Sequence, residues 1–344
     1  MNQHAGIEFV GMAVAGTDLM CRARAGDARA FRALTEPHRR ELHAHCYRML
    51  GSFQDAEDAL QEAMVAAWRG LDGFDGRASL RTWLYRIATN RCLDALRATR
   101  RRPPKQWDIP GIEPPEPTGL GEIHWLEPWP DALLGDATGV APGPEARYER
   151  AESLSLAFVT ALQVLPPRQL AVLILRDVLG FHADEVADML ETTVDSVKSA
   201  LKRARAALLR QPSTAVRDVD PGAQRAIVAS FVRAYEAADI DALVALFTDD
   251  VFLSMPPLPL QYRGRDSVGG FFAFAFGVAR GFRLMPTRAN GQPAFGVYLL
   301  TATGLPGVGF FVLTVADGGI SAVTRFEATV LPAFGLPPSL AASP

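Results

Sequence analysis

Residues 168–208, RQLAVLILRDVLGFHADEVADMLETTVDSVKSALKRARAAL, decide how this chain is read. An apolar helical run reaches Gly180, a residue that ends helices without strain. A short second helix follows, then a polar break at Glu191-Thr192-Thr193, then a basic helix. This order is a helix-turn-helix pattern. Val186, Ala187 and Leu190 are expected to pack inward from the first helix of the pair, and Val194, Val197 and Leu201 from the second. Asp195, Ser196, Lys198, Ser199, Lys202 and Arg203 are then left outside, where small and basic residues suit entry into a major groove. From Val194 to Arg210 the bases Lys198, Lys202, Arg203, Arg205 and Arg210 face the single acid Asp195, a charge balance that attracts phosphates. A solvated amphipathic helix is the competing reading.

Upstream, residues 17–102 read as a helical domain. DAEDALQEAMVAAWRG (55–70) spaces Ala59, Leu60, Met64, Val65, Ala67 and Trp68 near i, i+3, i+4, with acids in its first turns where the helix dipole favours them. Asp55, Glu57, Asp58, Gln61 and Glu62 form an acidic face of the kind that steers protein partners, although an ordinary solvated face has the same composition. A second helix is predicted from Ser79, a suitable N-cap, to about Arg100. Its end is basic: Arg91, Arg97, Arg100, Arg101, Arg102 and Lys105 stand against Asp94. Phe74, Trp83, Tyr85 and Asn90 lie just before. Bases that track a backbone, with rings and an amide that hold unstacked bases, suit melted nucleic acid. A core role for Trp83 and Tyr85 in a three-helix unit is the alternative.

Residues 103–145 are rich in Pro and Gly and lack a sustained period, which predicts an extended linker holding two domains apart. Its WLEPWPDALL segment carries Trp125 and Trp129, a feature that packing on a neighbouring domain explains. Residues 146–211 return to helix. Residues 222–332 read as α+β, with helices over 223–238 and 241–247 and strands over 251–255, 294–303, 309–315 and 321–330. The tail PAFGLPPSLAASP reads as loose.

Composition bounds these readings. The 344 residues carry 35 Lys+Arg and 38 Asp+Glu, a net charge of −3, with 49% hydrophobic and 21% charged residues, which excludes a disordered or fibrous chain. At about 100–200 residues per domain, two or three domains are expected. Three cysteines make no disulfide framework, so a cytoplasmic setting is expected. No run of 18 apolar residues occurs and the N-terminus lacks the basic start of a signal peptide, so no membrane partner is expected. His43, His45 and Cys46 form HAHC, but only His43 and Cys46 share a helix face and no second cluster completes a zinc site; no metal or cofactor is predicted.

DAEDALQEAMVAAWRGLDGFDGRASLRTWLYRIATNRCLDALRATRRR resembles conserved region two of bacterial RNA polymerase sigma factors, and LPPRQLAVLILRDVLGFHADEVADMLETTVDSVKSALKRARAALL resembles their region four. Nothing similar to regions one and three is present, as in the extracytoplasmic-function group. The resemblance implies core RNA polymerase and promoter DNA as partners. It implies that Asp55, Glu57, Asp58, Gln61 and Glu62 dock on the polymerase clamp. It implies that Trp83, Asn90, Arg97, Arg100 and Arg101 open and read the melted element, and that Ser196, Lys198, Ser199, Lys202 and Arg203 read the more distant one. DDVFLSMPP, YRGRDSVGGFF and DGGISAVTRFEA resemble the cone-shaped SnoaL-like fold, so the fold class expected is two all-α domains, the second a helix-turn-helix, followed by an α+β domain. Sigma factors with this appendage form a subgroup in which it acts in place of a separate anti-sigma protein, so regulation in cis is implied.

The rival readings are a SnoaL-like cyclase or isomerase fused to a DNA-binding module, and a stand-alone helix-turn-helix repressor. No histidine occurs between Val251 and Arg325 to serve as a pocket acid or base, so no catalytic residue is predicted. Phe252, Met255, Phe271, Phe272, Phe274, Phe276 and Phe282 are expected either to fill a core or to line the pocket of a small unknown ligand.

Overall fold

The computed structural model describes residues 17–99, 107, 113–121, 125–133, 153–210, 220–279, 281–316 and 318–341. The first unit comprises α1 (17–24), α2 (Ala28–Leu50), α3 (Phe53–Gly70) and α4 (Leu80–Thr99). Asp27 caps α2 by accepting from the Arg29 and Ala30 amides, and Gly51 ends it in the left-handed region at φ 75°. Ser52 caps α3 through the Asp55 amide at 3.1 Å. The apolar stripes meet in a core of Leu42, Cys46, Leu60, Ala63, Leu84 and Cys92, all at most 3% exposed.

The second unit comprises α5 (Leu156–Leu162), α6 (Pro167–Leu173), α7 (Ala183–Met189) and α8 (Val194–Leu208), with a π-helical continuation of α6 over Ile174–Val178. Thr193 caps α8 by accepting from the Ser196 amide at 3.2 Å. Glu191 takes φ 50° in the turn between α7 and α8. Val186, Ala187, Leu190 and Val197 are buried as expected, while Val194 and Leu201 are half-buried and Ala204 supplies the second fully buried contact of α8.

The third unit has α9 (Pro221–Glu236), α10 (Ile240–Ala245) and α11 (Arg265–Gly277) over a sheet. Its strands are β1 (Gly119–Leu120), β2 (Phe247–Met255), β3 (Leu258–Arg263), β4 (Phe282–Ala289), β5 (Gln292–Leu299), β6 (Leu305–Ala316), β7 (Gly319–Phe326) and β8 (Ser339–Leu340). Among the described residues the order is β1-β3-β2-β7-β6-β5-β4, with β8 on β6; only β2–β7 is parallel. Side chains alternate between the two faces. Phe231, Phe247, Phe272, Phe295, Phe311 and Leu313 form the core under the helices. Ala294, Phe310, Val312 and Phe326, on the other face, join the apolar cluster that runs through both helical units.

Several expectations need correction. The linker does not simply hold domains apart: β1 lies within it and pairs with β3, and Leu126 and Trp129 are buried. The tail is not loose over its described part, because Ala328–Phe334 forms a 3-10 helix, Phe334 packs on Phe310 at 4.3 Å, and Ser339–Leu340 pairs with β6. Its apolar residues find cover on the outer sheet face. Phe252 faces away from the helix-covered core, under the Arg263 guanidinium at 5.2 Å, because it alternates with the buried Val251 and Leu253. Phe274 likewise stands outside that core.

Candidate nucleic-acid interface and interdomain junction

α3 presents Glu57, Asp58, Gln61 and Glu62 to solvent, together with Val65 at 49% exposure, while Asp55 is half-buried at its first turn. Glu57, Asp58 and Glu62 form no ion pair among the described residues. On α8, Ser196, Lys198, Ser199, Lys202 and Arg203 are all exposed. The Ser196 hydroxyl accepts from Thr193 Oγ1 at 2.9 Å, so it is partly committed to the helix cap. Arg205 is spent on Asp177 at 2.7 Å, whereas Lys198, Lys202 and Arg203 have no carboxylate partner among the described residues. The outer face of α8 is thus a free cationic surface on a capped, rigid helix.

The expected single-strand reader is more mixed. Trp83 is half-buried, tilted on Phe74 at 5.1 Å, and Tyr85 is wholly core. Asn90 and Arg97 are exposed, and Arg97 pairs with Asp94 at 2.6 Å. Both line a cleft of about 250 Å³ with Leu93, Asp94, Arg168, Leu190 and Glu191. The fold therefore sets the helix-turn-helix unit against the Asn90–Arg97 edge of α4. Arg86 bonds Glu191 at 2.8 Å, and Phe181 meets Tyr85 edge-on at 5.2 Å, with Arg81 over both rings. Arg100 and Arg101 lie outside the described residues.

Of the residues that join the three units, Trp129 was expected from sequence to pack on a neighbouring domain, whereas Asn290, Tyr47, Phe53 and Glu127 were not singled out. Trp129 is 2% exposed, between His43 at 4.7 Å, Tyr47 at 5.0 Å and Phe53 at 5.5 Å. Its amide donates to Asn290 Oδ1 at 2.8 Å, and the Asn290 amide donates back to the Trp129 carbonyl at 2.9 Å. Asn290 Nδ2 donates to the Tyr47 hydroxyl at 3.0 Å and to the Leu154 carbonyl at 2.6 Å. The Tyr47 hydroxyl donates to the Glu127 carbonyl at 2.8 Å. One buried amide thus ties the first unit, the linker, the start of the second unit and the β4–β5 turn. Asn290 and Gly291 both have positive φ, 55° and 76°, the two-residue hairpin geometry that Asn-Gly favours. That dipeptide is the signal that could have located the turn, though not its partners.

Glu127 extends the junction to α3. Its Oε2 accepts from the Ser52 hydroxyl at 2.8 Å and the Gln54 amide at 2.9 Å, placing a carboxylate at the positive end of the acidic helix. Asp131 accepts from the Gly291 amide at 2.7 Å and from Arg288 at 3.1 Å; burial lifts its carboxyl above the usual value. Around Trp129, its own Nε1 and His43 Nε2 are buried without a hydrogen-bond partner. Burial holds His43 neutral, with its pKa lowered to about 4.

A helix-turn-helix unit with a free cationic helix, another helical unit with an acidic outer face, and an α+β appendage define a DNA-reading transcription factor with a built-in third domain. Residues 34–102 match Sigma-70 region 2, residues 155–208 match Sigma-70 region 4, and residues 228–323 match the SnoaL-like domain. The chain is 44% identical over 328 residues, 92% of this chain and 86% of the other, to the ECF RNA polymerase sigma factor SigG of Mycobacterium tuberculosis. SigW of Bacillus subtilis is 30% identical over 194 residues, 55% of this chain and 92% of its own. The crystal structure of the Mycobacterium tuberculosis sigma factor SigJ shares the fold, with a TM-score of 0.53 and 24% identity over 86% of this chain and 95% of that one. The chain belongs to the extracytoplasmic-function family of RNA polymerase sigma factors, and carries a C-terminal SnoaL-like domain. No helix among the described residues is long and apolar enough to cross a membrane.

Proposed function

We propose that this sigma factor binds core RNA polymerase through the α3 face of Asp55, Glu57, Asp58, Gln61 and Glu62. It directs initiation by reading duplex promoter DNA with Ser196, Lys198, Ser199, Lys202 and Arg203. Trp83, Asn90 and Arg97, with Arg100 and Arg101 beyond them, engage the melted element. The observation that carries this reading is charge separation: Glu57, Asp58 and Glu62 on one unit and Lys198, Lys202 and Arg203 on another form no ion pair among the described residues. Opposite faces of this kind recruit a large protein and a polyanion without competing.

The SnoaL-like domain acts in cis and catalyses nothing. No histidine occurs between Val251 and Arg325, and Asp249, Asp250 and Asp266 stand at the surface. The domain holds the linker to α2 and α3 through Asn290 and Trp129, in the state where region four walls off Asn90 and Arg97. The unmatched Trp129 Nε1 and His43 Nε2 make this junction weaker than its burial implies, by about 1–3 kcal/mol each, which suits a contact that must release. Run-off transcription with core polymerase tests the reading. Lys202→Ala with Arg203→Ala should abolish promoter-dependent product, and each single change should weaken duplex binding and lower its salt slope by about 1. Asn290→Ala should alter the yield from the same promoter. Undiminished transcription by the Lys202/Arg203 double variant would remove α8 from the promoter.

A further inference from the structure

α7, the first helix of the helix-turn-helix pair, lies on α4 of region two and is tied there at both ends. Just before it, Phe181 is 5% exposed. Its ring meets Tyr85 edge-on, and the Arg81 guanidinium stands 5.0 Å from the Phe181 ring and 4.7 Å from that of Tyr85. Glu41 of α2 fixes this slot, accepting from Arg81 Nε at 2.9 Å and from the Tyr85 hydroxyl at 3.3 Å. The Phe181 amide donates to the Leu175 carbonyl at 3.0 Å, which gives the ring a rigid stem. Just after α7, Leu190 is 6% exposed and Glu191 accepts from Arg86 at 2.8 Å. Glu191 sits at φ 50°, in the left-handed region that glycine enters freely and a residue with a Cβ does not. Glycine would relieve this turn; what glutamate adds is a carboxylate on region two.

In a helix-turn-helix pair the first helix crosses the DNA backbone while the second enters the groove. Here that first helix is seated on α4, and Leu190 and Glu191 stand across a narrow cleft from Asn90 and Arg97. Two surfaces assigned above to different parts of a promoter therefore meet along one seam. We propose that α7 is an internal latch: Phe181 and Glu191 hold it on α4, where it obstructs the Asn90–Arg97 edge and denies α8 its brace on the backbone, so that DNA at either surface favours release of the other. The latch rests on the promoter contacts proposed above. Ligands that bind only the parted state raise each other's affinity, and that coupling is reciprocal. The two ties differ in kind. Phe181 acts by burial, whereas the Arg86–Glu191 pair, with side chains 47% and 74% exposed, is screened by salt.

Charge reversal tests the latch, because two roles for Arg86 carry opposite signs. As a DNA contact, Arg86→Glu would weaken transcription; as a latch residue, it should strengthen it. With core polymerase and sub-saturating sigma factor at low salt, Arg86→Glu should raise run-off yield about two- to fivefold. Adding Glu191→Arg restores the pair with its charges swapped and should return the yield to the wild-type level. Glu191→Gly, which also relieves the turn, should raise yield by a similar factor. Amide exchange of the full-length protein, without polymerase or DNA, reads the same joint. Over residues 86–97 it should be about two- to fivefold faster in Arg86→Glu and normal in the charge-swapped protein. Unchanged exchange in Arg86→Glu overturns the latch even where the Lys202/Arg203 double variant is silent, so its failure is separate from that of the promoter contacts. Faster exchange with no gain in yield, or no recovery in the charge-swapped protein, overturns it equally.

Discussion

The SnoaL-like domain and region four both rest on the region-two helices, by opposite chemistry. The SnoaL-like contact is buried and hydrogen-bonded: Asn290 is 2% exposed and shares four bonds with Trp129, Tyr47 and Leu154. The region-four contact adds an exposed ion pair, Arg86–Glu191, whose side chains are 47% and 74% exposed, to a buried apolar seam in which Phe181 meets Tyr85 edge-on. A buried network resists salt and fails as a unit, whereas an exposed pair is worth about 0–1 kcal/mol and is screened. The difference teaches how the two joints answer salt: the Arg86–Glu191 pair is screened, while the Asn290 network is not.

Breaking the stronger joint should have the largest effect. Trp129→Ala removes a filled aromatic site and should cost about 3–5 kcal/mol in denaturant unfolding. Trp129→Phe sharpens the point: it keeps a ring and deletes the buried orphan Nε1, so it should cost under about 1.5 kcal/mol. Asn290→Ala should cost about 2–4 kcal/mol, from lost bonds and a left-handed backbone that alanine tolerates poorly, and amide exchange should accelerate over residues 125–131.

Acid should attack the same joint. His43 is held neutral by burial with a pKa of about 4, and His45 with about 3, against 6.5 in the unfolded chain. The unfolded chain therefore takes up protons first. The stability is whole above about pH 6.5 and falls as pH drops toward 4, by about 3 kcal/mol for His43. His43→Phe should remove about half the slope of that limb between pH 6 and 4, His45 keeping the rest.

The smallest effect belongs to the exposed ion pair. Glu191→Gln should change stability by less than about 1 kcal/mol, and the change should vanish at high salt in thermal unfolding. A loss as large as that of Asn290→Ala would reverse the ranking of the two contacts.

Much of this architecture was legible locally. The α8 helix shows its period, its Thr193 cap and its basic face within one segment, and α3 shows its acidic first turns. The junction was hidden because its members are far apart: Asn290 and Tyr47 are separated by 243 positions, and nothing near either residue names the other. The tail misled because PAFGLPPSL lacks a period, yet Leu331 and Phe334 find an apolar sheet face waiting.

The order of the units, the helix-turn-helix and the sign of each outer face follow from the amino-acid sequence alone, because helix period, capping and net charge act over one or two turns. Which side of α4 region four covers, where the linker is seated and which buried polar atoms go unmatched were decided only in three dimensions. Those outcomes depend on which distant surfaces exclude water together, and no local pattern encodes that choice.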